Sequence, residues 1–244
     1  MSGSTIDNSM DNQLRPLARV GLVDQAYGVI RSAIINQEFK PGTTLTTIDV
    51  SERLGVSRTP VRQALLLLAR QGLLDTDNRG QFVVHTISDD EAVEIFLVRA
   101  SLESLAARKL TLSLSDSQYE ELSQLIHRQE VARDDGDTRG FLQFDQEFHL
   151  AIARFASLPL VMEHLEGLRD KVRVIGGQAI SRPGRLGSVL HEHRAILDAL
   201  YHRNASDAVA KVAEHLVNTA HSVGTAIDEV IWTAVGPLKR GDQE

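Results

Sequence analysis

The sequence predicts a mainly α-helical chain in two parts: three helices with a β-hairpin, then a larger all-α bundle. Three observations predict it. Apolar residues recur at helical spacing along most of the chain, short β-favouring stretches occur between residues 73 and 86, and from Ser88 onward capping signals rather than hairpin turns divide the sequence.

Size and composition set the bounds. At 244 residues with 42% hydrophobic side chains, one large or two ordinary domains are possible. Cysteine is absent, so there is neither a disulfide framework nor a thiolate metal site, and His, Asp and Glu are the strong ligands left. No apolar run approaches the ~18 residues of a membrane span. The start, "MSGSTIDNSMDNQ", is polar without a signal-peptide core, so residues 1–14 read as a disordered leader and the protein as cytoplasmic. The net charge of −7 is divided unevenly: residues 15–86 carry +3, residues 87–244 carry −8 and the leader −2. A weakly basic module on an acidic body suggests a nucleic-acid contact confined to the first part.

Each element has a local cause. Val23, Ala26, Tyr27, Ile30, Ala33 and Ile34 repeat with helical period, and "FKPG" stops that helix. A short second helix runs from about Thr47 to Leu54 and ends at Gly55. The third opens with Ser57 as N-cap, tolerates Pro60 in its first turn, and continues through Val61, Ala64, Leu65 and Leu68 to Gly72. "LLDT" and "QFVVHT" then flank "DNRG", a tight-turn composition. Helix, three-residue turn, helix and hairpin describe a winged helix-turn-helix over residues 15–86. Capping boxes at "SDDE" and "SDSQ", the cap at "NASD" and breaks at "SLP" and "SRPGRLG" divide residues 87–232 into about six helices. Their expected spans are 88–110, 115–134, 138–156, 158–179, 187–202 and 205–230, with 233–244 a C-terminal tail.

Arg58, Thr59 and Arg62 fall in the first turns of the third helix, the two arginines four apart on one face. A helix-turn-helix lays this part in the major groove, where Arg reads guanine bidentately and Thr meets a phosphate or a thymine methyl. Arg79 and Gly80 at the hairpin tip are placed to act as a wing. An arbitrary Arg pair is more often merely solvated; here the basic module, the two-helix spacing and the wing coincide.

The stretch "LTTIDVSERLGVSRTPVRQALLLLARQGLLDTDNRGQFV" resembles the DNA-binding domain of the GntR family of bacterial transcription regulators. The resemblance covers about residues 20–86 and implies that Ser57, Arg58, Thr59, Arg62 and Gly80 lie at double-stranded DNA. Two positions depart from the family pattern: Ile48 stands where many members have a polar or basic residue, and Gln63 replaces the usual Glu.

In the second part the histidines can be sorted by helical face. Asp145 and His149 share an arc with Phe141, Phe144, Phe148, Ile152 and Phe155, while Gln143, Gln146, Glu147 and Arg154 fall outside it. His193 lies with Val189, Leu190, Leu197 and Leu200, and His215 with Ala208, Val212 and Thr219. An Asp–His pair one turn apart, with one His from each of two further helices, is how a bundle core builds a divalent metal site; the set suits Zn²⁺, with Ni²⁺, Mn²⁺ or Fe²⁺ as alternatives. The residues alone also allow satisfied core histidines and a buried Asp145–His149 pair.

Residues 88–230 resemble the FCD ligand-sensing domain of the FadR-like branch, a bundle of six or seven helices. Its metal-binding members carry D-x-x-x-H, E-H-x-x-I and a final His before Leu, here Asp145–His149, Glu192–Ile196 and His215–Leu216. The resemblance also places Arg99 near the pocket, whereas the bare spacing reads Arg99 and Glu103 as an internal salt bridge. Arg182 and Arg185 read as solvated loop residues. Together these features predict a homodimeric regulator, most simply a repressor, that binds a palindromic operator and responds to a small organic acid at the metal. A metal-dependent hydrolase and a regulator sensing the ion itself are the alternatives.

Overall fold

The computed structural model describes residues 21–235. The expected leader lies outside them. In the first unit, α1 (Leu22–Ile35), α2 (Thr47–Leu54) and α3 (Arg58–Arg70) pack on a small sheet of β1 (Thr44–Leu45), β2 (Leu74–Thr76) and β3 (Phe82–Val84). The strands lie in the order β1-β3-β2, all antiparallel, with Asp75 opposite Val83 and Thr44 on the other side of Val83. β1 was not expected, because two residues are too few to show a period; its partner β3 identifies it.

These elements enclose an apolar core of their own. Ile30, Val50, Val61, Leu65, Leu68, Leu74 and Phe82 belong to it. α2 starts where Thr46 Oγ1 accepts from the Asp49 amide at 3.0 Å and stops at Gly55, whose φ of 65° gives a tight left-handed exit into α3. Ser57 occupies the N-cap position of α3 without a side-chain hydrogen bond to the helix.

The second unit contains α4 (Asp89–Leu110), α5 (Asp116–Asp134), α6 (Thr138–Phe155), α7 (Pro159–Ala179), α8 (Arg185–Tyr201), α9 (Ala205–Ser222) and α10 (Ile231–Val235). Ser88 and Ser115 cap α4 and α5 through their hydroxyls, as their capping boxes predict. α4 runs through the middle, against α6, α7, α9 and α10, and Phe96, Phe141, Phe148, Leu190, Ile196 and Leu200 are fully enclosed around it. One span needs correction. The helix expected over 205–230 ends at Ser222, where Gly224 at φ 85° turns the chain, and a separate α10 takes in Thr233–Val235 of the expected tail.

Ionic contacts join the two units. Arg31 of α1 donates from Nε to Asp170 Oδ2 of α7 at 2.6 Å. His85, just after β3, stands between Asp75 (2.8 Å) and Glu91 (2.6 Å), and Glu91 also meets Lys171 of α7 at 2.5 Å. Burial opposes its protonation, but Glu91 and Asp75 outweigh that and lift the His85 pKa above the ordinary imidazole range. A raised folded-state pKa contributes stability below the unfolded value near 6.5, and that stability is lost as pH climbs through the folded pKa. The stability difference between wild type and His85→Gln, measured by urea unfolding, is therefore expected to be largest near pH 6 and to vanish toward pH 9; a pH-independent difference would contradict this.

Candidate metal centre and DNA-reading face

α3 is held from one side only. Pro60, Val61, Ala64, Leu65 and Leu68 face the core, and that leaves Ser57, Arg58, Thr59, Arg62 and Gln63 exposed at the start of the helix. At the hairpin tip the Asp77 carboxylate accepts from the Arg79 and Gln81 amides at 2.9 and 2.8 Å, and Gly80 takes a φ of 75° that side chains resist. Arg79 and Gly80 are exposed. Ile48, in the first turn of α2, is exposed too, an apolar group where a phosphate contact would need a donor.

The second site lies inside the bundle. α6 brings Asp145 and His149, α8 brings His193 and α9 brings His215, and one ligand atom from each falls within 4.8 Å of all the others. The imidazole centroids form a triangle with sides of 5.0, 5.0 and 4.8 Å. All three rings are buried, and Asp145 is half-buried at the edge.

Each ring is fixed from behind. His193 Nδ1 is 2.9 Å from Gln129 Oε1, His215 Nδ1 is 2.7 Å from Glu192 Oε2, and His149 Nδ1 is 2.8 Å from Glu103 Oε2. With Nδ1 engaged on every ring, Nε2 is the atom left to face the centre. His149 Nε2 and His193 Nε2 are buried without a hydrogen-bond partner, and Asp145 Oδ1 is 3.5 Å from the latter. Two orphaned buried imidazole nitrogens are costly unless something binds them. A divalent cation fits this donor set, with the outer partners setting tautomer and direction.

The electrostatics suit the same occupant. Burial, followed by the neighbouring His215, His149, Arg185 and Arg99, holds the His193 pKa well below the ordinary range. Burial, helped by the neighbouring His149, also lowers that of His215 against the upward pull of Glu192 and Asp145. Neutral rings are the form that ligates a metal. Against the upward pull of burial, His215 and Arg185 draw the Glu192 carboxyl down to about 2. Glu103 is likewise held far below the carboxylate range by Arg99 and His149.

A small cavity opens beside Asp145 and His215. Arg99, Gln146, Arg173, Arg185 and Thr219 are among its walls, and about 30 Å³ of it admits water-sized molecules. Arg99 lines it while donating from Nε to Glu103 at 2.7 Å, the internal salt bridge that the bare spacing predicts. Arg185 corrects the expectation of a solvated loop residue. It is the first residue of α8 and is buried, its charge matched by Glu192 at 2.6 and 3.0 Å and its Nη2 donating to Thr219 Oγ1 at 2.8 Å. Gln146, placed outside the apolar arc, is buried against this cavity.

Sequence reasoning missed Gln129 and Glu192 as ring-orienting groups. A Glu just before a ligand His was one available signal; Gln129 has none, since its partner is 64 residues away.

Residues 22–84 match the bacterial regulatory proteins of the gntR family, and residues 94–218, just over half the chain, match the FCD domain. The chain belongs to the GntR family, with an FCD domain. Relatives include the HTH-type transcriptional repressor RspR of Escherichia coli K12, 29% identical over 88% of this chain and 93% of that one. Among solved structures, E. coli McbR/YncC superposes with a TM-score of 0.71 at 24% identity, over 84% of this chain and 98% of that one. A GntR regulator from Rhodococcus sp. RHA1 gives 0.69 at 23%, over 83% and 97%. These two share the fold. This GntR protein is thus a DNA-binding transcription regulator and not an enzyme, which removes the hydrolase alternative. No helix among its described residues is long and apolar enough to cross a membrane.

Proposed function

We propose that this regulator is a homodimeric repressor that grips a palindromic operator through Ser57, Arg58, Thr59, Arg62, Arg79 and Gly80 and releases it when a small organic acid enters the FCD cavity. The observation that carries the second half is the cluster of three back-tethered imidazoles and Asp145 opening onto a cavity lined by Arg99, Arg173 and Arg185. Three imidazoles and one carboxylate suit Zn²⁺ first, with Ni²⁺, Mn²⁺ and Fe²⁺ close behind. Bound there, the ion supplies positive charge for a ligand oxygen, and the guanidiniums supply bidentate partners for a carboxylate. The small free space favours a short acid over a long acyl chain.

Coupling to DNA runs through α7. Its Arg173 and Ile175 line the cavity, its Asp170 holds Arg31 of α1 in the DNA-reading unit, and its Lys171 meets Glu91 of α4, which in turn holds His85 just after β3. An effector acts only by binding the DNA-competent and incompetent arrangements unequally. The test combines thermal shift with DNA binding. In a screen of short mono-, di- and tricarboxylates with Zn²⁺ present, an acid that raises the melting temperature should weaken binding to DNA upstream of the gene, and EDTA should remove both effects. Equal DNA affinity with and without the tightest-binding acid would overturn the reading.

A further inference from the structure

Arg99 and Glu103 stand one turn apart on α4, and Arg185 and Glu192 two turns apart on α8, so each pair shares a helix face. None of the four side chains is more than 11% exposed. Buried ion pairs are a weak source of stability, because desolvation offsets most of the attraction, so two of them beside one cavity call for another role. Both pairs continue in the same way. Glu103 accepts from Arg99 Nε at 2.7 Å through Oε1 and puts Oε2 2.8 Å from His149 Nδ1. Glu192 accepts from Arg185 Nη1 and Nη2 at 2.6 and 3.0 Å and puts Oε2 2.7 Å from His215 Nδ1. Each row of three groups therefore starts at a guanidinium in the cavity wall and ends at an imidazole of the metal centre. The guanidiniums also keep donors in reserve. Arg185 Nε is buried without a hydrogen-bond partner, and among the described residues Arg99 makes only its Nε bond. The third imidazole is held differently: behind His193 stands Gln129, a neutral amide that forms no part of the cavity wall.

Two acceptors then compete for each guanidinium. A carboxylate that accepts from the cavity side of Arg99 or Arg185 draws positive charge away from the glutamate behind it, and that glutamate turns more negative charge toward its imidazole. A more negative partner at Nδ1 makes Nε2 a stronger donor to a cation. We propose that Arg99–Glu103–His149 and Arg185–Glu192–His215 are two relays through which a small carboxylate and the divalent ion tighten each other's binding. Glu103 and Glu192, which line no part of the cavity, are positioning residues in this scheme. The inference rests on the effector reading above and adds a reciprocal coupling to it: the factor by which the acid tightens the metal is the factor by which the metal tightens the acid.

Titration of the full chain with Zn²⁺ against a chromophoric chelator, with and without a saturating excess of acetate or malonate, tests it. Wild type should bind Zn²⁺ about 10-fold tighter with one of these acids present, within the usual range of coupling between sites. Glu192→Gln keeps an acceptor for His215 but loses the charge; with one of two relays gone, the enhancement should shrink to about 3-fold. Because that change leaves Arg185 buried without its counter-charge, the double variant Arg185→Gln, Glu192→Gln, which leaves neither charge, is the companion and should show the same loss. Gln129→Leu should weaken Zn²⁺ by the same factor with and without acid, since its amide is not linked to the cavity. A wild-type enhancement retained in both Glu192 variants overturns the relays and leaves the effector reading standing. So does an enhancement that falls as far in Gln129→Leu as in Glu192→Gln, which marks the loss as a general loosening of the centre. No enhancement in wild type with either acid also overturns the relays, and the effector reading falls with them only if no acid in the screen above raises the melting temperature of the Zn²⁺-loaded protein.

Discussion

Replacing both Arg58 and Arg62 by Ala is expected to abolish operator recognition and leave a folded, effector-binding protein. The side chains are exposed at the start of α3, and Val61, Leu65 and Leu68, which hold that helix, are untouched. A bidentate guanine contact contributes about 1–3 kcal/mol of discrimination, so losing two lowers specific affinity on the order of 10²–10⁴-fold. Binding then falls toward the sequence-independent level that phosphate contacts provide. Fluorescence anisotropy at several salt concentrations separates the roles. Base readers lose specificity with little change in salt slope, whereas a phosphate contact lowers the slope by about one per arginine. A folded double variant that still prefers operator over unrelated DNA would remove α3 as the reading helix.

The second large effect is at the histidine cluster. His193→Ala removes the most deeply buried of the four ligand groups and should reduce metal content from about one ion per chain to a trace after dialysis, measured by elemental analysis. Because His193 also stacks on Phe148 at 4.5 Å, the substitution destabilises the core by itself. The discriminating measurement is therefore the rise in melting temperature on adding Zn²⁺ to chelator-treated protein: present in wild type and absent in the variant, since only binding to the native state stabilises by mass action. Gln129→Leu gives a finer test. It leaves every ligand in place but frees His193 Nδ1, and such outer partners are typically worth 10–100-fold in metal affinity. Equal metal content in wild type and His193→Ala would refute the site.

The readable parts of this protein are those with local causes. Gly55, Ser57 and Pro60 mark the turn and the start of α3 through backbone preferences that act within a few residues, and the caps at Ser88, Ser115 and Asn204 do the same for α4, α5 and α9. Asp145, His149, His193 and His215 could be selected because helical periodicity assigns each to an apolar face. Periodicity does not say which faces meet. The 4.8 Å cluster exists because α6, α8 and α9 pack with those faces in register, a property of the whole bundle.

Side chains whose partners are remote were misread or missed. Arg185 follows a Pro-Gly turn and looks solvated; its burial depends on Glu192 two turns along α8 and on Thr219 of α9. Gln146 is polar and falls on the polar side of the wheel, yet that side faces the cavity wall. β1 has no pattern of its own and is a strand because Val83 of β3 pairs with it. By itself the sequence determined the bounds of most helices, which unit carries the basic helix-turn-helix, and which residues of α6, α8 and α9 share an apolar face, since capping, turn chemistry and helical period are short-range. Only the tertiary structure decided that three imidazoles converge with Nε2 inward, that Arg99 and Arg185 reach one cavity, and that α7 joins that cavity to the DNA-reading unit, because each depends on groups distant in the chain meeting within a few ångströms.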